Sequence, residues 1–442
     1  MMNAATSSQT ARTASAALLI GLMAMTLIVP ETSAASARTR RVSVNSSEAQ
    51  GTLSSFAPAL SASGRFVAFE SDATNLVGND TAGQADIFVR DRDASTTRRM
   101  SLRSNGAQGN DWSAIPAISA NGRFVAFEPG ASNLVTNDTN AAADIFVHDR
   151  QSKRTTRVSV RSNGTQGDGR SCCMAISADG RFVTFHSEAT NLVPNDTNGE
   201  RDVFVHDRRT DKTSRVSLSS AGVQGDGASE LPDISASGRF VAFESKASNL
   251  VANDTNGSPD VFVHDRRTGR TSRVSVGPGG AEGAASSRGP AISADGRYVA
   301  FESIAHNLVA ADTNARFDIF VRDREKRRTT LVSRHSNGEQ GNGTSRQADI
   351  SGSGRWLAFS SEASDLVAND TNGGADIFIH DRRTGRTRRL SIGQNGLQAD
   401  DESSHPAISA DGRYVGFESD ASNLVANDTN DAQDIFVRGP LR

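Results

Sequence analysis

Cysteine is scarce in this sequence, and a long apolar run occurs only once. The two cysteines among 442 residues, Cys172 and Cys173, are adjacent and so cannot cross-link distant segments. Stability must therefore come from packing. From the sequence alone, the pair could form a vicinal disulfide, remain as free thiols or bridge to another molecule.

The single apolar run, residues 16–29, is shorter than the roughly 20 residues that a membrane span needs. Arg12 precedes this run, and Ala35, Ser36 and Ala37 follow it as an A-x-A cleavage site. Residues 1–37 are therefore interpreted as a signal peptide. We expect the mature chain, residues 38–442, to be exported to the periplasm or the cell exterior without membrane insertion.

A strong charge of either sign is also missing. The formal net charge is -3 at pH 7. Such a balance favours neither nucleic acid nor an anionic membrane as a partner. The expected partner is instead a protein or a glycan.

What the sequence does contain is a seven-fold repeat with a constant period of 58 residues. The arginine of the phrase S-A-D-G-R, or of its variants, recurs at Arg65, Arg123, Arg181, Arg239, Arg297, Arg355 and Arg413. A fixed period without insertions indicates one supersecondary unit per repeat, stacked on its neighbours.

Each repeat reads as four short strands, and helical signals are absent. In the fourth repeat, β-rich runs at 231–235, 239–243, 260–264 and 271–276 are separated by clusters of Gly, Asn, Asp and Ser. The second and third runs are apolar on both faces, which is typical of a sheet packed between two others. A blade of a β-propeller provides that environment.

The two ends of the mature chain complement each other. Residues 39–44 have a fourth-strand sequence with no first three strands before them, and residues 434–438 have a third-strand sequence with no fourth strand after them. We therefore predict an all-β, seven-bladed β-propeller with four antiparallel strands per blade, closed by the N-terminal strand completing the last blade. We expect this ring, residues 38–442, to be a monomer.

The phrase P-A-I-S-A-D-G-R-Y-V-A-F-E-S at 290–303, followed by D-I-F-V-R-D-R at 318–324, resembles the WD40-like propeller repeats of the TolB-like family of bacterial proteins. The resemblance extends over all seven repeats and implies a propeller. TolB carries an α/β domain before its propeller, whereas residue 39 here already begins a blade strand. Prolyl-oligopeptidase-like enzymes join such a propeller to a hydrolase, but this sequence contains no G-x-S-x-G elbow.

A loop motif, N-D-T-N-x-x-x-D, recurs between the second and third strands. Its two carboxylates and one amide are hard oxygen donors that could hold Ca²⁺. Alternatively, they cap the loop's own backbone amides as Asx-turns do, the interpretation we favour because the motif or a close variant of it recurs in every blade. The candidate calcium ligands are Asp138, Asn140, Asp144, Asp196, Asn198, Asp202, Asp254, Asn256, Asp260, Asp370, Asn372 and Asp376.

Four histidines share one slot at the end of the third strand: His148, His206, His264 and His380. The same slot holds arginine in the other repeats, at Arg90, Arg322 and Arg438. A residue that arginine can replace is expected on a solvated face, not as a base or a metal ligand.

Residues that differ between repeats are better candidates for a selective site. They cluster around the start of the first, innermost strand, at one mouth of the central channel: Cys172, Cys173, Glu230, Asp233, Arg288, Arg346, Asp349 and His405. The alternative is that exposed loop tips vary without functional consequence.

No catalytic motif singles itself out. The first hypothesis is therefore a non-enzymatic binding or scaffolding module for a protein or glycan of the cell envelope or exterior. The alternative is a channel-mouth hydrolase or lyase in which Glu230, Asp233 and His405 act as acid and base groups.

Overall fold

A computed structural model describes residues 37–81, 83–310, 312–394 and 396–441. The expected signal peptide, except Ala37, lies outside these residues. Over the described ranges the secondary structure consists of strands β1 to β28 and one short 3₁₀ turn, Pro278–Gly280. Within the same ranges, no helix has the length and apolarity needed to cross a bilayer.

The strands form seven four-stranded antiparallel sheets, which are the blades. The innermost strands are β2 (Ser55–Leu60), β6 (Ser113–Ile118), β10 (Ser171–Ile176), β14 (Ser229–Ile234), β18 (Ser287–Ile292), β22 (Ser345–Ile350) and β26 (Ser403–Ile408). The second strands are β3 (Phe66–Ser71), β7 (Phe124–Pro129), β11 (Phe182–Ser187), β15 (Phe240–Ser245), β19 (Tyr298–Ser303), β23 (Trp356–Ser361) and β27 (Val415–Ser419).

The third strands are β4 (Asp86–Asp91), β8 (Phe146–Asp149), β12 (Asp202–Asp207), β16 (Asp260–Asp265), β20 (Asp318–Asp323), β24 (Asp376–Asp381) and β28 (Asp434–Gly439). The outermost strands are β5 (Thr96–Arg99), β9 (Arg154–Arg157), β13 (Lys212–Arg215), β17 (Arg270–Arg273), β21 (Arg328–Leu331), β25 (Arg386–Arg389) and β1 (Arg38–Arg41). We number the blades 1 to 7 from β2 to β26.

The predicted closure of the ring is confirmed. Strand β1 pairs antiparallel with β28, with Arg38 opposite Gly439 and Arg41 opposite Phe436. One apolar core cluster also joins Ile435 of blade 7 to Phe69 of blade 1. The ring therefore has no open edge between its first and last blades.

Apolar residues on both faces of each blade fill the interfaces with the neighbouring blades. In blade 4, Phe243 of β15 and Phe262 of β16 stack with ring centroids 5.9 Å apart, and both are fully buried. They pack against Val203 and Val205 of blade 3. The same arrangement recurs at the other blade boundaries, which explains why the second and third strands show no polar face.

The phrase S-A-D-G-R forms a tight turn that ties each blade to the preceding one. Gly238 has φ of 73°, and a Cβ there would lie 2.1 Å from Cδ2 of Phe182 in blade 3. Arg239 binds both oxygens of Asp265 within its own blade, at 2.8 and 2.7 Å. Arg266 lies over the ring of Phe182, 4.4 Å from its centroid. We call this side of the ring the turn face and the opposite side, which carries the long loops, the loop face.

Candidate functional site at the channel mouth

Every innermost strand contains a β-bulge near its start, on the loop face. The bulged residues Ala57, Ile115, Cys173, Leu231, Gly289, Gln347 and His405 all have φ between 47° and 57°. The pairing register shifts at the same point of each sheet. A bulge turns two consecutive side chains toward the same side of the strand. The variable residues at the start of each innermost strand therefore lie together at this mouth.

A ring of acidic side chains, which the sequence analysis missed, lies behind these bulges. The same slot of the second strand holds Glu70, Glu128, Glu244, Glu302 and Glu418 in five blades, and His186 and Ser360 in the other two. Glu244 Oε2 accepts the amide N–H of Gly289 in the next blade at 3.0 Å. Burial raises the pKa of Glu244, because its carboxylate is withdrawn from water. The ring therefore links neighbouring blades at the mouth.

Arg288 and Arg346 converge on Phe317. Their Cζ atoms lie 4.2 and 5.2 Å from the centroid of the phenyl ring. Phe317 is fixed in the loop before β20, where its carbonyl oxygen accepts the amide N–H of Ser345 at 2.7 Å. Arg288 is half-buried and Arg346 is exposed. Arg288 Nε also lies 3.6 Å from Oε2 of the buried Glu302, whereas Arg346 appears in no ion pair among the described residues. We call Arg288, Arg346 and Phe317 the arginine–phenyl patch.

His405 forms a dyad with Glu418. Its Nδ1 atom lies 2.6 Å from Glu418 Oε1, and this hydrogen bond raises the pKa of His405. Burial opposes ionisation of Glu418, but hydrogen bonds from His405, Ala57 and Ser404 together lower its pKa. Gln347 of blade 6 lies on the other side of the ring, with its Nε2 2.9 Å from Nε2 of His405. A carboxylate oxygen can only accept and an amide nitrogen can only donate, so the neutral imidazole that suits these two partners carries its proton on Nδ1 and accepts at Nε2.

Glu230, predicted as an acid group, is held in an ion pair. Nη1 of Arg201 lies 2.6 Å from Glu230 Oε1, and Nε of the same arginine lies 3.1 Å from Glu188. Arg201 precedes the third strand in the slot that Phe317 occupies two blades later. Blade 4 therefore contributes a neutralised carboxylate to the mouth.

Asp233 and Asp349 lie further along the innermost strands than the other candidates. Their Oδ2 atoms accept the amide N–H groups of Ile292 and Ile408 in the next blades, each at 2.7 Å. Burial raises the pKa of Asp233 to about 6 and that of Asp349 to about 7. The charge of Asp233 contributes to the shift at Asp349. These two carboxyls connect blades along the channel wall.

Cys172 and Cys173 are joined in a disulfide, which selects one of the three states left open by the sequence. Cys172 lies opposite His186 in the pairing of β10 with β11. Burial lowers the pKa of His186 to about 4, so its imidazole is neutral at pH 7. Blade 3 thus places two sulfur atoms and an imidazole at the mouth.

The candidate calcium ligands lie in the long loops and at the starts of the third strands that follow them, and each carboxylate pair contacts an arginine. In blade 3, Nη1 of Arg215 lies 3.3 Å from Asp196 and 2.8 Å from Asp202. Nε2 of Gln224 contacts the same two carboxylates at 2.8 and 2.9 Å. The equivalent arginines are Arg157 beside Asp138 and Asp144, Arg273 beside Asp254 and Asp260, and Arg389 beside Asp370 and Asp376.

The amides of these loops bond to backbone. Asn198 donates to the carbonyl oxygen of Gly225 at 2.9 Å and accepts the amide N–H of Glu200 at 3.1 Å. The second of these bonds is an Asx-turn. Asn140, Asn256 and Asn372 make the same pair of contacts in their blades. Calcium binding by these loops stays a prediction.

The expectation of solvated histidines at the end of the third strand is wrong. His148, His206, His264 and His380 are buried, and Nδ1 of each lies 2.9 Å from a threonine Oγ1 on the outermost strand. Burial lowers the pKa of all four. In blade 1, Arg90 donates to Thr97 in the same place at 3.2 Å. Histidine and arginine can replace each other in this slot because both can form a hydrogen bond with that threonine hydroxyl.

No family model and no curated protein matches this sequence. Solved structures do match. TolB from Acinetobacter baumannii is 15% identical and covers 69% of this chain, with a TM-score of 0.39, and this chain spans 61% of TolB. The propeller domain of the Trilobed protease from Pyrococcus furiosus is 10% identical, with 88% of this chain and 94% of that chain covered and a TM-score of 0.53.

Oligogalacturonate lyase from Vibrio parahaemolyticus is 11% identical, with 92% of this chain and 97% of that chain covered and a TM-score of 0.53. These similarities show the propeller fold. The resemblance to TolB-like propellers predicted from the sequence is confirmed at that level. The two structures with TM-scores of 0.53 belong to a protease and a lyase, so the shared fold leaves the activity open.

Proposed function

We propose that this chain is a binding module whose channel mouth recognises an anionic group on a protein or glycan of the cell envelope or exterior. The arginine–phenyl patch carries the proposal. A guanidinium offers paired donors that match a carboxylate or phosphate, and two of them here lie close to one phenyl ring. A sugar ring or an apolar side chain attached to the anion would pack on Phe317.

The asymmetry of the ring supports this assignment. The slots of Arg288 and Arg346 hold Phe56, Ala114, Cys172, Glu230 and Ser404 in the other five blades. Arginine occurs in this slot only in two adjacent blades, and Phe317 belongs to the first of them. A ligand would therefore meet one basic sector of the mouth and bind in one orientation.

We also propose that the chain acts outside the cytoplasm. The support comes from the sequence of residues 1–37 and from the disulfide between Cys172 and Cys173. Disulfides persist in oxidising compartments and are rare in the cytosol.

Binding can be tested with defined probes by calorimetry. Acidic oligosaccharides, such as oligogalacturonate, are compared with neutral oligosaccharides of equal length, at low and high salt. We expect the acidic series to bind and the neutral series not to bind, with affinity falling as salt screens the arginines. The double variant Arg288→Gln/Arg346→Gln should weaken binding about tenfold or more, and because Arg288 also pairs with the buried Glu302, circular dichroism checks that the variant is folded.

Arg386→Gln is the matched control, because this exposed arginine lies on the outermost strand of blade 6. Glu230→Gln alone should not weaken binding of the acidic probes, because Glu230 is paired with Arg201 and carries the same sign of charge as the ligand. Equal binding of neutral and acidic probes, or an unaffected Arg288→Gln/Arg346→Gln variant, would move the site away from this patch.

A second candidate function is that of a lyase, and the dyad of His405 with Glu418 favours it. Glu418 accepts the hydrogen bond of Nδ1 and so makes the imidazole of His405 more basic. Nε2 could then accept a proton from the carbon next to a carboxylate of the substrate. Gln347, which contacts His405, directly follows Arg346, so base and arginine lie near each other. Oligogalacturonate lyase, a protein of the same fold, acts on a carboxylate-bearing sugar, and one of its structures contains manganese.

Elimination from oligogalacturonate would remove the proton next to the carboxylate, break the glycosidic carbon–oxygen bond and form a carbon–carbon double bond, which absorbs ultraviolet light at wavelengths where the substrate does not. We would incubate the protein with this substrate, with and without Mn²⁺, and compare it with His405→Gln. Growing absorbance that disappears in the variant would establish the lyase. Binding of the substrate without any change in absorbance would leave the binding module as the function.

A further inference from the structure

The mouth of blade 3 differs chemically from that of every other blade. Cys172 and Cys173 occupy the bulge pair of β10, and His186 replaces the glutamate of the second strand. Elsewhere the slot of His186 holds five glutamates and Ser360. Two sulfur donors and an imidazole thus occur together only in blade 3; in the same slots blade 7 has the single imidazole of His405, and no other blade has a sulfur or imidazole donor there.

The bulge brings the three donor atoms together. In a regular strand, consecutive side chains point to opposite faces, so two adjacent cysteines would diverge. Cys173 has φ of 55°, and the bulge turns its side chain to the side of Cys172. Cys172 is in turn the direct pairing partner of His186. One ligand atom from each of the three residues therefore lies within 4.8 Å of the other two.

The burial of the cluster suits a metal ion that remains reachable from the channel. Cys172 and His186 are each 8% exposed, and Cys173 is half-buried. Around the cluster, Arg201 pairs with Glu188 and Glu230, and Arg170 pairs with Glu128. Two guanidinium groups beside three carboxylates leave no large excess of either sign, so the donors themselves set the preference for an ion.

We propose that reduction of the Cys172–Cys173 disulfide converts this cluster into a binding site for one thiophilic divalent ion, represented by Zn²⁺. A dithiol reductant supplies two electrons and two protons, becoming a disulfide itself while both cysteines become thiols. The ion then displaces the two thiol protons and binds two thiolates and the His186 imidazole. Three protein ligands leave a fourth position open toward the channel mouth.

The disulfide and the metal site exclude each other, since both use the same two sulfur atoms. The oxidised protein has no thiolate to offer, so the ion binds only after reduction. Soft thiolate donors with one imidazole select Zn²⁺ and similar ions over Ca²⁺ or Mg²⁺. This site is independent of the arginine–phenyl patch, which lies in blades 5 and 6.

The site can be tested with Co²⁺ as a spectroscopic substitute for Zn²⁺. The purified protein is reduced with dithiothreitol, desalted under inert gas and titrated with Co²⁺, and Zn²⁺ is then added in competition. We expect one Co²⁺ per chain, a sulfur-to-cobalt charge-transfer absorption in the near ultraviolet, and displacement by Zn²⁺. The oxidised protein should show none of these. A reduced protein that binds no Co²⁺, or binds it without the sulfur absorption, overturns the proposal.

The other blades supply substitutions that the fold already accommodates in these slots. They are Cys172→Ala, after Ala114 of blade 2; Cys173→Leu, after Leu231 of blade 4; and His186→Ser, after Ser360 of blade 6. Each should weaken Co²⁺ binding about tenfold or more, with an unchanged circular dichroism spectrum. His306→Gln, at an exposed histidine elsewhere in the ring, should bind as the wild type does.

Wild-type affinity in His186→Ser would overturn the assignment of the imidazole. Should a cysteine variant fail to fold, alkylation of the reduced wild-type protein with iodoacetamide gives the same information. We expect alkylation to abolish Co²⁺ binding, and binding that survives it contradicts the proposal.

Discussion

Oδ2 of Asp349 in blade 6 accepts the amide N–H of Ile408 in blade 7 at 2.7 Å, so a carboxyl group bridges two blades on the wall of the channel. Its Oδ1 accepts the amide N–H of Ile350 in its own strand at the same distance. Five blades have alanine in this slot. Only blades 4 and 6 therefore place an ionisable group at this depth.

Asp349 should make the stability of the ring depend on pH. Burial raises its pKa to about 7, above the value of about 3.9 for an exposed aspartate. The folded state therefore holds the proton more tightly than the unfolded state, so the free energy of unfolding falls as pH rises from about 4 to 7. Asp349→Asn keeps an acceptor oxygen and cannot ionise.

We expect the wild type to lose about 1 to 2 kcal/mol more than Asp349→Asn between about pH 5 and pH 8, since channel water screens part of the full effect. Urea unfolding at the two pH values measures the difference. Asp111→Asn, at an exposed loop position, is the control. Identical pH profiles for wild type and Asp349→Asn would show that the carboxyl is solvated in the folded state.

The sequence predicted the ring because the evidence for it is periodic. The constant repeat fixes the number of blades, and the complementary segments 39–44 and 434–438 can form a complete blade only by pairing with each other. The structure shows that pairing, with Arg41 opposite Phe436. Apolar residues on both faces of each strand predicted interfaces between blades, and the stacked pair Phe243 and Phe262 fills one.

The site was harder to predict because its geometry depends on the bulges. Of the seven bulged residues only Gly289 is of a type that favours positive φ, so no pattern in the sequence signals the bulge. The ring of glutamates was missed because a repeated residue was interpreted as structural. Those glutamates are structural, since Glu244 binds the bulge amide of Gly289, but they also define the mouth.

A reciprocal exchange between blades 3 and 5 should show how much the loop arginines stabilise the ring. Arg215 pairs with Asp196 and Asp202, whereas Leu331 occupies its slot in blade 5, and within the described ranges no arginine forms an ion pair with Asp312 or Asp318. Burial raises the pKa of Asp318 to about 6. Ionised Asp318 therefore costs stability, and this cost grows as pH rises from about 4 to 6.

We expect Leu331→Arg to raise the free energy of unfolding at pH 8 by about 1 kcal/mol, because it pairs two existing carboxylates. Arg215→Leu should lower it by about 3 kcal/mol, because Asp196 and Asp202 lose their partner in a buried place. Urea unfolding measures both. Leu331→Met, which adds length without charge, is the control, and a gain equal to that of Leu331→Arg would attribute the effect to packing.

Deletion of residues 38–44 should open the ring. The segment forms the outer strand of blade 7, buries Val42 and Val44, and places Arg41 at 2.9 Å from both Asp428 and Asp434. Several ladder hydrogen bonds, each worth about 1 kcal/mol, would be lost, and β28 would become an exposed edge.

We expect the shortened protein to melt at a lower temperature and to associate, as measured by calorimetry and size-exclusion chromatography. Arg38→Ala, which changes the exposed first residue of β1 and keeps the strand, is the control. A monomeric deletion variant with the wild-type melting temperature would mean that closure does not stabilise the ring.

The arginines beside the carboxylates of the long loops predict where Ca²⁺ can bind. A guanidinium already bridges the carboxylates of the candidate loops in blades 2, 3, 4 and 6, so Ca²⁺ would have to displace a fixed cation there. Blade 5 has the carboxylates Asp312 and Asp318 with Leu331 in the arginine slot. We therefore expect at most one Ca²⁺ per chain, in blade 5, and none in Leu331→Arg.

Equilibrium dialysis in a calcium buffer followed by metal analysis gives the stoichiometry, and melting with and without a chelator gives the stabilisation. Asp196→Ala and Asp254→Ala should leave the stoichiometry unchanged, because Arg215 and Arg273 occupy those loops. Several Ca²⁺ ions per chain, reduced in number by either substitution, would show instead that calcium displaces the arginines and that the loops are metal sites.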